Sequence, residues 1–328
     1  PGGPPRRVRR GLRCRVMDAT LLDLRGVRKR FPSRAGTGDE AAVDGVDLVV
    51  REGEIHGLVG ESGSGKSTLG RIAVRLLEPD EGTVSFAGVD LRSLGARDLR
   101  AARRGMQVIF QDATSALDPR LTAREAVMEP WVIHRMHAPA DRPRLAAELL
   151  ERVGIAAALA DRRPGAFSGG QRQRVAIARA LALEPRLLVC DEPVSALDLS
   201  VQAQIVNLLR DLQAERGMGL LFIAHDLPLV GHIADVVSVM YLGRIVETGT
   251  RDEVFDRPLH PYTRALLGAA SDAVGGSSPV GLEPTGSRPT GCAFRDRCPI
   301  ARDACAEEVP ALVERGQGHA VACLFPDG

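Results

Sequence analysis

Three short apolar runs in this chain each end in polar groups. Ile55–Val59 leads into a Gly/Ser-rich stretch, Leu187–Cys190 into Asp191-Glu192-Pro193, and Leu220–Ala224 into His225-Asp226. Unbroken apolar runs this short predict strands buried on both faces, as in a parallel sheet. Three such strands place their terminal polar groups along one crevice, where open α/β sheets bind ligands. Residues 21–27 (LLDLRGV) and 43–50 (VDGVDLVV) alternate or run apolar and predict two more strands, joined by a Gly/Ser/Arg loop over 33–40. The stretch KSTLGRIAVRLL, from Lys66, predicts a helix directly after the first run. From about 95 to 180 the period changes to that of helices, in RDLRAARR, TAREAVMEPWVIHRM, PRLAAELLERVG and QRQRVAIARALAL. The pattern predicts an α/β core over 21–270 with an inserted α-helical subdomain at 95–180. A Gly/Ser/Pro-rich linker follows over 271–290, then a Cys-rich extension over 291–328.

Composition narrows the function. The chain has 328 residues, 44% hydrophobic, which suits one large domain with an appendage or two domains. No run reaches the ~18 uncharged apolar residues of a membrane span. The net charge of +1 is unevenly spread: residues 1–16 hold six Arg and no acid, leaving 37 basic against 42 acidic residues elsewhere. With aromatics at 3%, that body lacks both the charge and the stacking platforms of a nucleic-acid binder. Residues 1–20 read as a disordered basic tail, or as sequence ahead of a start at Met17. Their apolar content is too low for a secretory signal.

Of the 43 basic residues only two are lysines, and one, Lys66, lies in Gly60-Glu61-Ser62-Gly63-Ser64-Gly65-Lys66-Ser67. Lysine is a compact point charge on a flexible stem, whereas Arg is a broad fork that does not fit inside a tight loop. The spacing is that of a P-loop. Its backbone N–H groups cradle phosphates, Lys66 reaches the terminal ones, and Ser67 ligates Mg²⁺. A strand before the glycines and a helix after them supply the context that a bare glycine pattern lacks.

With these motifs in order, residues 21–270 resemble the ATP-binding-cassette (ABC) ATPases, whose core is a RecA-like parallel sheet with an antiparallel β subdomain. Gly60–Thr68 matches the Walker A motif, Gln111 the Q-loop, and Ser168-Gly169-Gly170-Gln171 the signature. LLVCDE, ending at Glu192, matches Walker B, Ser195–Asp198 the D-loop, and His225 the switch histidine. The resemblance implies that Asp191 joins Ser67 and Gln111 in holding Mg²⁺. It implies that Glu192 polarises the attacking water, and that His225 contacts the γ-phosphate. Taken singly, His225 would more often be a core histidine and Gln111 a surface amide. Ser168–Gln171 would contact ATP held by a second subunit, clamping its phosphates between two chains. Phe31 matches an adenine-stacking position that is often Tyr; Phe167 stands where Leu is commoner.

The stretch FSGGQRQRVAIARALALEPRLLVCDEPVSALDLSVQAQIVNLL, with LHPYTRALL at 259–267, resembles the ATPase subunits of oligopeptide and dipeptide importers. DEPVSALD looks more like the F-type subunit than the D-type. The resemblance implies a D-type ATPase partner, two transmembrane permeases, an extracytoplasmic peptide-binding protein, and a peripheral place on the cytoplasmic face of the membrane. Nickel or another small solute stays open as cargo. A soluble ABC ATPase acting on ribosomes or DNA is the competing class; its members carry two cassettes or long coiled coils.

Four of six cysteines crowd into Cys292-x5-Cys298-x6-Cys305-x17-Cys323. Disulfides fit a cytosolic ATPase poorly, and the gaps exceed the tight pairs of zinc sites. The tail resembles extensions that hold a [4Fe–4S] cluster in some peptide-importer ATPases. Cluster, zinc and free thiols remain the three readings. Cys190, at the end of an apolar run, reads as a buried thiol, and Cys14 lies in the basic tail.

Overall fold

The three apolar runs are strands, and they lie side by side. Ile55–Val59 pairs in parallel with Gly219–Ala224, which pairs in parallel with Leu187–Asp191. Every residue of the three is buried, so both faces of this sheet are covered. The computed structural model describes residues 19–32, 39–272, 290–316 and 318–327. The expected basic tail up to residue 18, most of the loop over 33–40 and most of the linker over 271–290 lie outside them.

In chain order the strands are β1 (Thr20–Pro32), β2 (Asp39–Arg51), β3 (Ile55–Val59), β4 (Glu81–Phe86), β5 (Val89–Asp90), β6 (Met106–Ile109), β7 (Leu187–Asp191), β8 (Gly219–Ala224), β9 (Val236–Tyr241), β10 (Arg244–Thr250), β11 (Val313–Gly316) and β12 (His319–Val321). The helices are α1 (Lys66–Ala73), α2 (Ala96–Ala102), α3 (Ala113–Ala116), α4 (Ala123–His134), α5 (Arg142–Arg152), α6 (Gly169–Leu181), α7 (Leu199–Arg216), α8 (Leu227–Ile233), α9 (Arg251–Asp256), α10 (Pro261–Asp272) and α11 (Ala304–Glu307).

Among the described residues the strands form two sheets. A four-stranded antiparallel sheet runs β2-β1-β4-β5, and an eight-stranded sheet runs β11-β12-β10-β9-β3-β8-β7-β6. The large sheet is mixed: β9, β3, β8, β7 and β6 are mutually parallel, while β10, β12 and β11 add antiparallel pairs. Strand β6 falls within the stretch that the periodicity gives to helices. MQVI is short and its middle is half-buried, which hides it from a search for apolar runs. Helices α3 to α6 then separate β6 from β7. The first turn of α4 is closed by a reciprocal pair: Glu125 N–H donates to Thr122 Oγ1 and Thr122 N–H to Glu125 Oε2, at 3.2 and 2.8 Å.

One buried cluster joins the small sheet and α1 to the large sheet, through Leu24, Val50, Leu69, Ile72, Val189 and Ile223. A second joins the large sheet to α4–α8, and Phe294 of the tail is part of it. The tail therefore does not stand on a core of its own. Ala320 and Val321 of β12 pair with Thr248 and Glu247 of β10, continuing the main sheet. No helix among the described residues is long and apolar enough to cross a membrane.

Candidate functional site

Strand β3 delivers the chain to Gly60, where a Cβ would lie 2.1 Å from the Met240 carbonyl oxygen. Gly65, at φ +103°, would place a Cβ 2.0 Å from the Ala42 carbonyl oxygen. Only glycine fits either position. Between them the loop Glu61–Ser64 turns back on itself, and α1 begins at Lys66 without a side-chain cap or an acid in its first turn. Its first N–H groups are thus available to an anion. Lys66 is 3% exposed. Its Nζ donates to the carbonyls of Gly60 and Glu61, both at 2.7 Å, and to Ser64 Oγ at 3.3 Å. Burial pushes its pKa down, and the carboxylates of Glu192, Asp191 and Glu61 oppose that shift. Three donors on one rotatable head meet three acceptors here, which a planar fork does not match.

Asp191, at the end of β7, accepts a hydrogen bond from Ser67 Oγ at 2.6 Å. Burial raises its carboxyl pKa, against the lowering effects of the Ser67 bond and Arg71. A cation there would relieve the desolvated charge, and the oxygen donors of Ser67 and Asp191 suit a hard ion such as Mg²⁺. Among the described residues no three His, Cys, Asp or Glu side chains form a metal site by themselves. An ion here would therefore need oxygens from water or a bound phosphate.

Glu192 sits at φ +47°, a strained conformation for a residue with a side chain, with its N–H bonded to the Ile223 carbonyl at 3.0 Å. The strain turns its carboxylate into the crevice. Gln111, just past β6, donates from Nε2 to Glu192 Oε2 at 2.9 Å and to Ser195 Oγ at 3.3 Å. His225, just past β8, lies with Nδ1 3.6 Å from Glu192 Oε1 and is half-exposed. The order β3-β8-β7-β6 thus sets Lys66, His225, Asp191–Glu192 and Gln111 in a row. The row can hold a phosphate and a cation at one end and take a proton from water at the other.

Other expected residues lie apart from this row. The hydrogen bonds of Ser168 and Gln171 close on each other across the first turn of α6. A Cβ on Gly170 would meet Val201 at 2.5 Å, so α6 packs tightly on α7 there. Asp198 caps α7 through the Val201 N–H at 3.0 Å. Phe31, the last residue but one of β1, is 40% exposed. The chain's other lysine, Lys29, has Nζ 5.7 Å from that ring and 2.7 Å from Asp80.

Two contacts were not expected from the sequence, and both end on Glu61. Tyr262 Oη, in the HPYTRALL segment, accepts the Glu61 N–H at 2.9 Å. Arg297, between two tail cysteines, forks onto the Glu61 carboxylate at 2.7 and 2.9 Å. The HPYTRALL segment marked the first only as a sequence signature, and no local signal marked the second.

Cys292, Cys298, Cys305 and Cys323 line one small pocket with Phe294, Ile300, Pro310 and Phe325, and all four are free thiols. Cys292, Cys298 and Cys323 accept backbone N–H groups from Phe294, Ile300 and Phe325, each two residues on. Burial nonetheless pushes these three thiols up. Soft donors with N–H support suit a thiolate-bound group. The sulfurs as placed do not by themselves form a metal-ion site. Cys190 is a fully buried thiol pushed well up by desolvation.

Residues 43–195 match the ABC transporter family model, and 246–305 match the oligopeptide/dipeptide transporter C-terminal region. The oligopeptide transport ATP-binding protein AppF of Bacillus subtilis is 45% identical, over 93% of this chain and 97% of its own length. A putative peptide import ATP-binding protein of Brucella ovis is 48% identical over 94% and 99%. Among solved structures, a dimeric post-hydrolysis state of the ATP-binding cassette MJ0796 bound to ADP and Pi superposes with a TM-score of 0.65. It is 31% identical and covers 70% of this chain and 99% of its own.

Proposed function

Because the chain belongs to the ABC transporter ATPases that carry the oligopeptide/dipeptide-transporter C-terminal region, we propose that it is the F-type motor subunit of a peptide importer. It hydrolyses ATP on the cytoplasmic face of the membrane, paired with a D-type ATPase beneath two permeases, and an extracytoplasmic binding protein delivers the peptide. The observation that carries the enzymatic part is the convergence of Gln111, Glu192 and His225 beside the Lys66 loop, at the ends of four adjacent strands.

In this reading the P-loop N–H groups and Lys66 grip the phosphates. ATP would draw the Lys66 ammonium off the carbonyls it now caps. Ser67, Asp191 and Gln111 would hold Mg²⁺, which supplies charge neutralisation. Glu192 accepts the proton of the attacking water while Gln111 and His225 orient them. Phe31 stacks on adenine, with the Lys29 charge alongside. Ser168–Gln171 at the start of α6 and Asp198 face the partner's nucleotide, which explains why their bonds do not reach this chain's own P-loop. Helices α3–α6 form the helical subdomain.

In the tail, Cys292, Cys298, Cys305 and Cys323 would hold a [4Fe–4S] cluster, which would brace the segment. The family reading, more than the geometry, supports this assignment.

Purification with its neighbouring permeases into lipid vesicles tests the proposal. Peptide-loaded binding protein should stimulate ATP hydrolysis and peptide uptake together. Co-purification with ribosomes and no stimulation by binding protein would overturn it.

A further inference from the structure

We propose that Arg297 is a charge-pairing and positioning residue of the nucleotide site, through which the Cys-rich segment acts on the P-loop. The proposal rests on the ATP reading of that loop.

Glu61 follows Gly60, the glycine just past β3, and it is held at three points. Its carboxylate takes the Arg297 fork at 2.7 and 2.9 Å. Its N–H goes to Tyr262 Oη at 2.9 Å, and its carbonyl receives Lys66 Nζ at 2.7 Å. The tail and the 259–267 segment thus both close on one P-loop residue, 236 and 201 positions away. Arg297 is well placed for this task. Its side chain is 11% exposed, with the guanidinium 5.7 Å from the ring centres of both Tyr241 and Phe294. Those rings pack with Tyr262 at centroid distances of 4.6 to 5.4 Å. The backbone presents Arg297 from a turn, with its N–H on the Phe294 carbonyl at 3.0 Å. That turn lies between Cys292 and Cys298, and Cys292 N–H is bonded to the Cys305 carbonyl at 2.8 Å. A bidentate Arg–carboxylate pair on an aromatic floor fixes angle as well as distance.

The consequence for ATP has a definite sign. Without Arg297, Glu61 is an unpaired negative charge within the loop that must accept a triphosphate. Its repulsion weakens nucleotide binding. The groups that act on water, Glu192, Gln111 and His225, have no bond to Arg297, so the chemical step is untouched. Loss of Arg297 should therefore raise the Kd and KM for ATP while kcat holds.

The test is titration of the purified full chain with a fluorescent ATP analogue, and steady-state hydrolysis by the intact transporter. Arg297→Met should weaken binding by about fivefold or more, the lower end of common coupling between sites. Arg297→Lys, which keeps the charge without the fork, should lose less. The diagnostic variant is Glu61→Gln. It removes the stranded carboxylate, so it should restore most of the affinity lost in Arg297→Met. A purely structural role for Arg297 predicts no such rescue. Wild-type affinity in folded Arg297→Met, or an unrescued loss in the double variant, overturns the proposal. If Arg297→Met does not fold, Arg297→Gln, which can keep a hydrogen bond to Glu61 but not the charge, carries the same test with the same rescue. Failure of the wild-type chain to bind the analogue would instead refute the ATP reading.

Discussion

Glu247 gives the sharpest stability prediction. It is completely buried in β10, and its two oxygens serve three groups from two distant segments. Oε1 accepts the Leu259 N–H at 2.7 Å and faces His319 Nε2 at 2.8 Å; Oε2 accepts the His260 N–H at 2.9 Å. In Glu247→Gln the amide oxygen can keep the Oε1 position and two of the contacts. The amide nitrogen must then point at the His260 N–H, so two buried donors face each other. The lost charge-assisted bond is worth about 1.5–3 kcal/mol, and each buried donor left unsatisfied costs about 1–3 kcal/mol. Removing the buried charge returns part of this through relieved desolvation. We expect a net loss of about 3 kcal/mol, which at ~2.1 cal/mol/K of unfolding entropy per residue lowers the thermal midpoint of a chain this long by roughly 4 °C. Glu253→Gln is the control, because Glu253 bonds Thr250 at the solvent-exposed start of α9. A Gln there can still accept the Thr250 N–H, so the change should cost no more than about 1 kcal/mol. Scanning calorimetry of both variants decides the matter. A Glu247→Gln midpoint within about 2 °C of wild type would show that the three contacts do not hold this corner together.

Three further outcomes follow from the same geometry. Glu192→Gln should bind ATP but hydrolyse it at least about 100-fold more slowly in single-turnover assays, the usual contribution of a general base; an unchanged rate would remove Glu192 from that role. His260 is buried, and desolvation lowers its pKa to about 4. The unfolded chain therefore takes up a proton between pH 6.5 and 4 that the folded chain refuses, so stability falls on acidification across that window. His260 alone contributes about 3 kcal/mol of that slope, and His260→Asn should flatten it in denaturation curves; an unchanged slope would assign the acid sensitivity elsewhere. Protein purified without oxygen should absorb broadly near ~400 nm and lose that band when the tail cysteines are replaced. Colourless protein holding one zinc would rule the cluster out.

Much of the site was legible because its signals are local. Gly60 and Gly65 flank a loop that no other residue can form, and β3, β7 and β8 announce themselves as short apolar runs that stop at glycine or polar residues. Strand β6 was missed because Gln107 and Val108 are half-buried, leaving no apolar run. β9 and β10 were missed for a different reason: Ser238 and Glu247 are polar yet buried, and only distant partners explain them. Ser238 bonds His56 at 2.9 Å and Thr248 at 2.8 Å. Arg297 and Glu61 are the extreme case. Each is an ordinary charged residue in its own window, and the pair exists only once the tail has joined the main sheet.

The place of β12 beside β10 in that sheet also bears on how the chain is made. His319 follows Glu247 by 72 residues, so at ribosomal speeds of about 5–20 residues per second β10 waits roughly 4–14 s for its neighbour. During that interval its outer N–H and C=O groups are open to any passing strand, the geometry from which sheets aggregate. An inward-pointing carboxylate is one of the few features that discourage such pairing, because an apolar intruder would bury it without its His319 partner. Glu247 therefore has two successive tasks: it guards the growing sheet on the ribosome, and it locks the finished one when His319 arrives.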